Sequence, residues 1–205
     1  MNMKKKLVTV CLVACMAVTA VAGGTLAYFT DTKEATNTFT VGDVEITLNE
    51  DNWDEKNAKL VPHATIKKDP SVTLESGSEN AWVFVELEIG KGLKSMMEAT
   101  KPEALNFSEQ FAAWVKNEEN VGVDADWELV KEDGNKLIYR YTDAAIEPGK
   151  TDALFDTVVV PDGLTAEMVN AATGDKTIKV TAKAIQSEGV NADTAFTELF
   201  PAYKA

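Results

Sequence analysis

The segment Ala81 to Ile89 (AWVFVELEI) limits what this chain can fold into more than any other stretch of it. Val83, Val85, Leu87 and Ile89 recur at every second position and form a continuous apolar face, while Trp82, Phe84 and Glu86 share the other. Period-two alternation of β-branched and aromatic residues specifies a strand, and a strand with so apolar a face must be covered. Thr177 to Ile185 (TIKVTAKAI) alternates as cleanly, with Ile178, Val180, Ala182 and Ala184 opposite threonines and lysines. Trp127 to Val130 and Leu137 to Tyr141 flank an Asp-Gly step at Asp133-Gly134, which reads as a β-hairpin because glycine supplies the positive φ of a tight reversal. Leu154 to Val160 is a further strand, stopped by Pro161-Asp162-Gly163. Thr36 to Leu48 is another, with Val44, Ile46 and Leu48 on one face.

Helical signals are short. Leu93 to Ala99 precedes Pro102, Ser108 to Lys116 offers Ser108 as an N-cap, Leu164 to Ala172 offers Thr165, and Asp193 to Phe200 reads as a cover over one end of the sheet. Many strands joined by tight turns, with few crossover helices, predict a mainly β protein: an antiparallel β-sandwich with a few short peripheral helices. The most linker-like stretch is Asn49 to Pro70, acidic at first and lysine-bearing later.

The N-terminus follows a different rule. Lys4, Lys5 and Lys6 precede an apolar run from Leu7 to Ala22, which Gly23 and Gly24 end, and Thr25-Leu26-Ala27 places small residues at −3 and −1 of a cleavage site. This is the pattern of a secretory signal peptide, with cleavage between Ala27 and Tyr28. The run is short of the roughly 20 residues that span a bilayer, which argues against a membrane anchor. Both cysteines, Cys11 and Cys15, fall inside it. Leu12-Val13-Ala14-Cys15 resembles a lipobox, but the apolar run continues past Cys15, so lipid anchoring there is the minority reading. Cleavage after Ala27 leaves a secreted, extracellular or surface-associated chain without cysteine, which excludes disulfides and thiolate chemistry from it. The expected organisation is therefore a cleaved signal peptide at 1–27, an N-terminal segment and first strand at 28–48, and the rest of a single domain at 49–205.

Charge narrows the partners. The whole chain carries a net charge of −13, and the first 27 residues hold three lysines and no acid, so the remainder is more acidic still. A phosphate backbone would be repelled, and no nucleic acid is expected as a partner.

Gly23-Gly24-Thr25-Leu26-Ala27-Tyr28-Phe29-Thr30-Asp31, followed by Asn37-Thr38-Phe39-Thr40-Val41-Gly42 and Val44-Glu45-Ile46-Thr47-Leu48, resembles the TasA/camelysin family. The resemblance covers residues 20 to 48 and carries its blocks in order. It implies export from a Gram-positive cell through a SipW-type signal peptidase, and a β-sandwich of jelly-roll type. Some members build extracellular biofilm fibres in which each subunit donates its N-terminal segment to the next as a strand. Here that donor would be Tyr28 to Phe39, with Tyr28, Phe29, Thr30, Asp31 and Phe39 as its named residues. The partner would be the protein itself or a related matrix subunit. The alternatives are a flexible leader or a segment that pairs within its own sheet, a surface binding module or adhesin that does not polymerise, and a metallopeptidase of camelysin type.

Catalytic motifs are scarce. No His-Glu-x-x-His occurs, and the single histidine, His63, follows Pro62 in a polar connection and reads as a surface residue. No Gly-x-Ser-x-Gly elbow and no glycine-rich phosphate loop is present. An enzyme is not expected, and neither is a cofactor. Calcium is the one ion with candidate ligands, in Glu50, Asp51, Asp54 and Glu55 and in Glu118, Glu119, Asp124 and Asp126, although neither group has an EF-hand spacing and both read as solvated acidic surface. Of the four tryptophans, Trp82 and Trp114 read as core, and Trp53, set among acids, as the exposed one.

Overall fold

Ala81–Ile89 (β5) and Ile178–Gln186 (β11), the two segments with the cleanest alternation, pair antiparallel over their full nine residues, Ile178 opposite Ile89 and Gln186 opposite Ala81. The computed structural model describes residues 30–32 and 43–204 apart from Glu55, Asn57, Glu119 and Asp143. The signal-peptide positions, the Ala27–Tyr28 cleavage site, and Phe29 and Phe39 of the expected donor segment lie outside the described residues, as do Glu55 and Glu119 of the two acidic groups.

The remaining strands are Thr30–Thr32 (β1), Ile46–Asn49 (β2), Thr65–Lys67 (β3), Ser71–Leu74 (β4), Val115–Lys116 (β6), Trp127–Asp133 (β7), Lys136–Tyr141 (β8), Gly149–Lys150 (β9) and Thr157–Val159 (β10). They form one five-stranded sheet in the order β1-β11-β5-β8-β7 and two three-stranded sheets, β3-β10-β6 and β2-β4-β9. Every ladder is antiparallel. The mainly β, antiparallel reading holds; what the pairing establishes is that architecture and not a jelly-roll connectivity.

The alternation in β5 sorts its residues as expected. Val83, Val85, Leu87 and Ile89 face a core shared with Ile46, Val72 and Leu74 of one small sheet and Ile66 and Val158 of the other. Phe84, on the opposite face, is also fully buried, in a second cluster with Ile138, Ile185, Ala195, Leu199 and Phe200. The helix Ala192–Leu199 therefore lies over the outer face of the large sheet, not over one end of it. Burying a phenylalanine and a leucine there is worth about 1.5–3 kcal/mol each, more than covering an end would recover.

Helix boundaries shift for local reasons. Lys91–Thr100 (α1) and Ala166–Ala171 (α3) occupy the expected positions, the latter capped by Thr165, which accepts from the Met168 amide at 3.3 Å. Between them, Phe107–Ala112 (α2) starts earlier than a Ser108 cap would allow. Asn106 is the N-cap, accepting from the Glu109 amide at 2.9 Å, and Glu109 reaches back to the Leu105 amide at 3.0 Å. That reciprocal pair satisfies two end donors at once, which Ser108 could not do. Val115 and Lys116, expected as helix, instead pair with β10. The outer helix Ala192–Leu199 (α4) is capped by Asn191.

Candidate functional site: the β11 edge and the groove at its foot

The first three described residues, Thr30–Thr32, lie within the expected donor segment and occupy the edge of the large sheet. Thr30, Asp31 and Thr32 stand opposite Ile185, Ala184 and Lys183. Among the described residues the β11 edge has no strand paired with Ile178 to Ala182 on that side. Such an edge displays unpaired N–H and C=O groups and is a template for another strand. Its side chains suit that role. Ile178 and Val180 are half-buried against the core, and Lys183 is held down by its Nζ donating to the Leu199 carbonyl at 3.0 Å, 4.2 Å over the Phe200 ring. Burial pushes the Lys183 ammonium below its ordinary pKa, opposed by the nearby Glu86 carboxylate.

Below this edge the chain is drawn tight against α1. The Gly90 amide donates to the Thr177 carbonyl at 2.8 Å, and the Gly92 and Leu93 amides both donate to Asp175. A Cβ at Gly92 would lie 2.6 Å from the Gly174 carbonyl oxygen, and one at Gly90 2.5 Å from that of Asp175. Only glycine permits that approach. It sets Lys176, Thr177 and Ile178 beside α1 and opens a groove of about 630 Å3 between them and the chain before β3. Ile66, Leu93, Met96, Val158 and Val169 make its apolar wall, and Trp53 stands at its rim.

Trp53 is 41% exposed, as the sequence led us to expect, while Trp114 is fully buried and donates its indole N–H to the Thr100 hydroxyl at 2.8 Å. Lys68, nearly fully buried, pairs with Glu50 and lies 4.9 Å from the Trp53 ring. The stretch Asn49 to Pro70, linker-like by composition, thus contributes a strand and part of the groove. No sequence signal points to the groove, because its residues come from separate segments that only the fold brings together.

The acidic groups do not converge. Glu50 pairs with Lys68, Asp51 with Lys150 at 2.8 Å, and the Asp54 carboxylate accepts from the Lys56 amide at 3.0 Å. Asp124 accepts from the Asp126 amide at 2.9 Å; partial burial, then the Asp124 and Asp152 carboxylates, raise the Asp126 pKa. Among the described residues no group of three or more His, Cys, Asp or Glu side chains could hold a metal ion. His63 is exposed, as expected, with Nδ1 2.8 Å from the Asp162 carboxylate.

The N-terminal blocks find their counterpart in the family described as camelysin metallo-endopeptidase, whose model matches residues 2–81. The N-terminal part of this chain is similar to the camelysin family. The match ends on the first residue of β5, so it takes in β1 to β4 and stops short of β11. No curated protein and no solved structure matches the chain. Among the described residues, no helix is long and apolar enough to cross a membrane.

Proposed function

We propose that this is an exported structural protein of an extracellular or biofilm matrix, and that its copies, or a copy and a related matrix subunit, join by exchange of the N-terminal strand. What supports this reading is the pairing of Thr30–Thr32 with only Lys183 to Ile185 of β11, with no strand among the described residues on the rest of that edge. Cleavage between Ala27 and Tyr28 by a SipW-type signal peptidase would free Tyr28 to Phe39 outside the cell, so that assembly follows export. The segment would then leave its own β11 for that of a neighbour. A head-to-tail contact of this kind does not close on itself and propagates.

The test compares a chain beginning at Tyr28 with one beginning at Thr40, by size-exclusion chromatography and electron microscopy. Filaments or ladders from the longer chain alone support the proposal. Monomers from both, with and without calcium, overturn it in favour of a binding module that does not polymerise. The name of the matched family favours a second reading, a metal-dependent endopeptidase. Cleavage of an unfolded substrate that a chelator abolishes would establish it.

A further inference from the structure

The groove at the foot of β11 has a lining unlike the chain it belongs to. The sequence holds 33 Asp and Glu against 20 Lys and Arg, yet the ionisable side chains among the described residues of the groove are two lysines, Lys68 and Lys176. Most of the remaining lining is aliphatic, drawn from α1, α3, β3, β10, the start of β11 and the chain before β3. Thr177 brings the one hydroxyl. A sugar or a nucleotide would give up hydrogen bonds to water on such a wall and regain few. An alkyl chain gives up none, and the flexible thioether of Met96 can follow its shape.

The two lysines stand in opposite conditions. Lys68 is nearly fully buried and already neutralised, its ammonium paired with Glu50 and 4.9 Å from the Trp53 ring. The Trp53 amide also donates to the Glu50 carbonyl at 3.2 Å. Indole and backbone are thus both tied to the Glu50–Lys68 pair, while the ring stays 41% exposed at the rim. An aromatic face placed this way offers apolar area to a ligand at little cost in ordering. Lys176 is exposed at the mouth, where its Nζ donates to the Ala172 carbonyl at 3.1 Å. An ammonium has three N–H donors, and among the described residues no carboxylate pairs with this one.

We propose that this groove binds a free single-chain fatty acid, its alkyl tail along the aliphatic wall beneath Trp53 and its carboxylate on the Lys176 ammonium. The volume of about 630 Å3 lies within the roughly 300–1,000 Å3 of small-ligand pockets. The net charge of −13 repels the chain from an anionic bilayer surface, so the ligand arrives as a dissolved monomer and not as membrane lipid. The site is built within one copy of the chain and does not depend on strand exchange.

The test titrates octanoate, decanoate and dodecanoate, below their micellar concentrations, into the full chain and into the chain beginning at Tyr28. The shorter chain lacks the apolar run at 7–22, so binding common to both cannot come from that run. Calorimetry should give saturable one-to-one binding that tightens roughly two- to fourfold for each added methylene. The change in tryptophan emission on binding should vanish in Trp53→Phe. Lys176→Gln should weaken dodecanoate about fivefold and leave the neutral dodecanol unchanged. Val169→Phe, which fills the groove from α3, should abolish binding of both. Absence of saturable binding, or equal affinity at all three chain lengths, would overturn the proposal. So would a Lys176→Gln variant that binds dodecanoate as tightly as the parent, which would take the carboxylate off that lysine even if Val169→Phe failed to fold. Sedimentation with phosphatidylglycerol vesicles, without uptake of monomeric dodecanoate, would make the surface a membrane contact instead.

Discussion

At one edge of the five-stranded sheet β7 is closed off; at the other, the described residues pair with β11 only at Lys183 to Ile185. Along β7 the register slips between Leu129 and Lys131, a bulge that bends the strand away from a straight ladder. Glu128 is paired with Arg140, and the Glu132 carboxylate accepts from the Phe107 and Ser108 amides at 2.8 and 3.2 Å, fastening the start of α2 against the strand. Trp127 anchors the strand's beginning, its indole N–H on the Asp152 carbonyl at 3.1 Å and its ring 5.0 Å from that of Tyr141. Bulges, charges and a covering element are the usual defences of an edge. β11 has none of the first and only Lys183 and Lys179 of the second. It is nine residues long and, among the described residues, paired over three of them on that side. The difference teaches that protection of an edge is encoded locally, in a bulge and a few charges. In the proposed reading, the receptive strand is the one that lacks those defences among the described residues.

The sharpest way to break this comparison is to give β11 the kind of defence β7 has. Val180→Lys turns a charge inward from the β11 edge and, in chains whose circular dichroism stays native, should abolish association in sedimentation or chromatography, while Leu129→Lys on β7 should leave it unchanged. Loss of association in both would erase the distinction between the edges. A smaller effect separates the supports beneath them. Gly92→Ala, whose new methyl would meet backbone at the foot of β11, should lower stability in urea by about 1–3 kcal/mol. Gly134→Ala has open space around it and pays only for its φ of +61° in the turn between β7 and β8, about 1 kcal/mol.

The smallest effects concern pH, and they run in opposite senses. Asp126, just before β7, has a raised pKa, so the folded chain holds that proton more firmly than the unfolded one. Its contribution favours folding at acid pH and is lost as pH rises from the ordinary value of 3.8 through the raised one. Lys183 on β11 has a lowered pKa, so the folded chain releases its proton more readily, and stability rises with pH from that lowered value toward the ordinary 10.5. Asp126→Asn should flatten the acid limb of a stability profile and Lys183→Met the alkaline limb. Each change should stay under about 1 kcal/mol, since both groups keep contact with water.

Much of the large sheet was legible in the sequence, because β5, β11 and the β7–β8 hairpin are long enough for period two to declare itself. The small sheets were legible in part: β10 lies within Leu154 to Val160 and β2 overlaps the end of Thr36 to Leu48, whereas β3, β4, β6 and β9 run to four residues or fewer, and two residues of β6 carry no period at all. They are strands because neighbours offer them hydrogen bonds, and that is a fact of the assembled fold. The same holds for the site. The N-terminal segment carries a motif on the face of the sequence, whereas the groove depends on two glycines that read as loop residues and on side chains scattered from Trp53 to Ile178. The helix from Phe107 was misplaced at its start because a capping box at Asn106 outcompetes a serine two residues on.

The bulge between Leu129 and Lys131 bears on more than one sheet edge. A subunit with a single receptive side and a single donated strand has a valence of two, one of each kind. Chains of such subunits grow without branching, their two tips are chemically unlike, and new copies add to each tip by a different half of the same reaction. The small irregularity in β7 is thus what would give such a thread its direction.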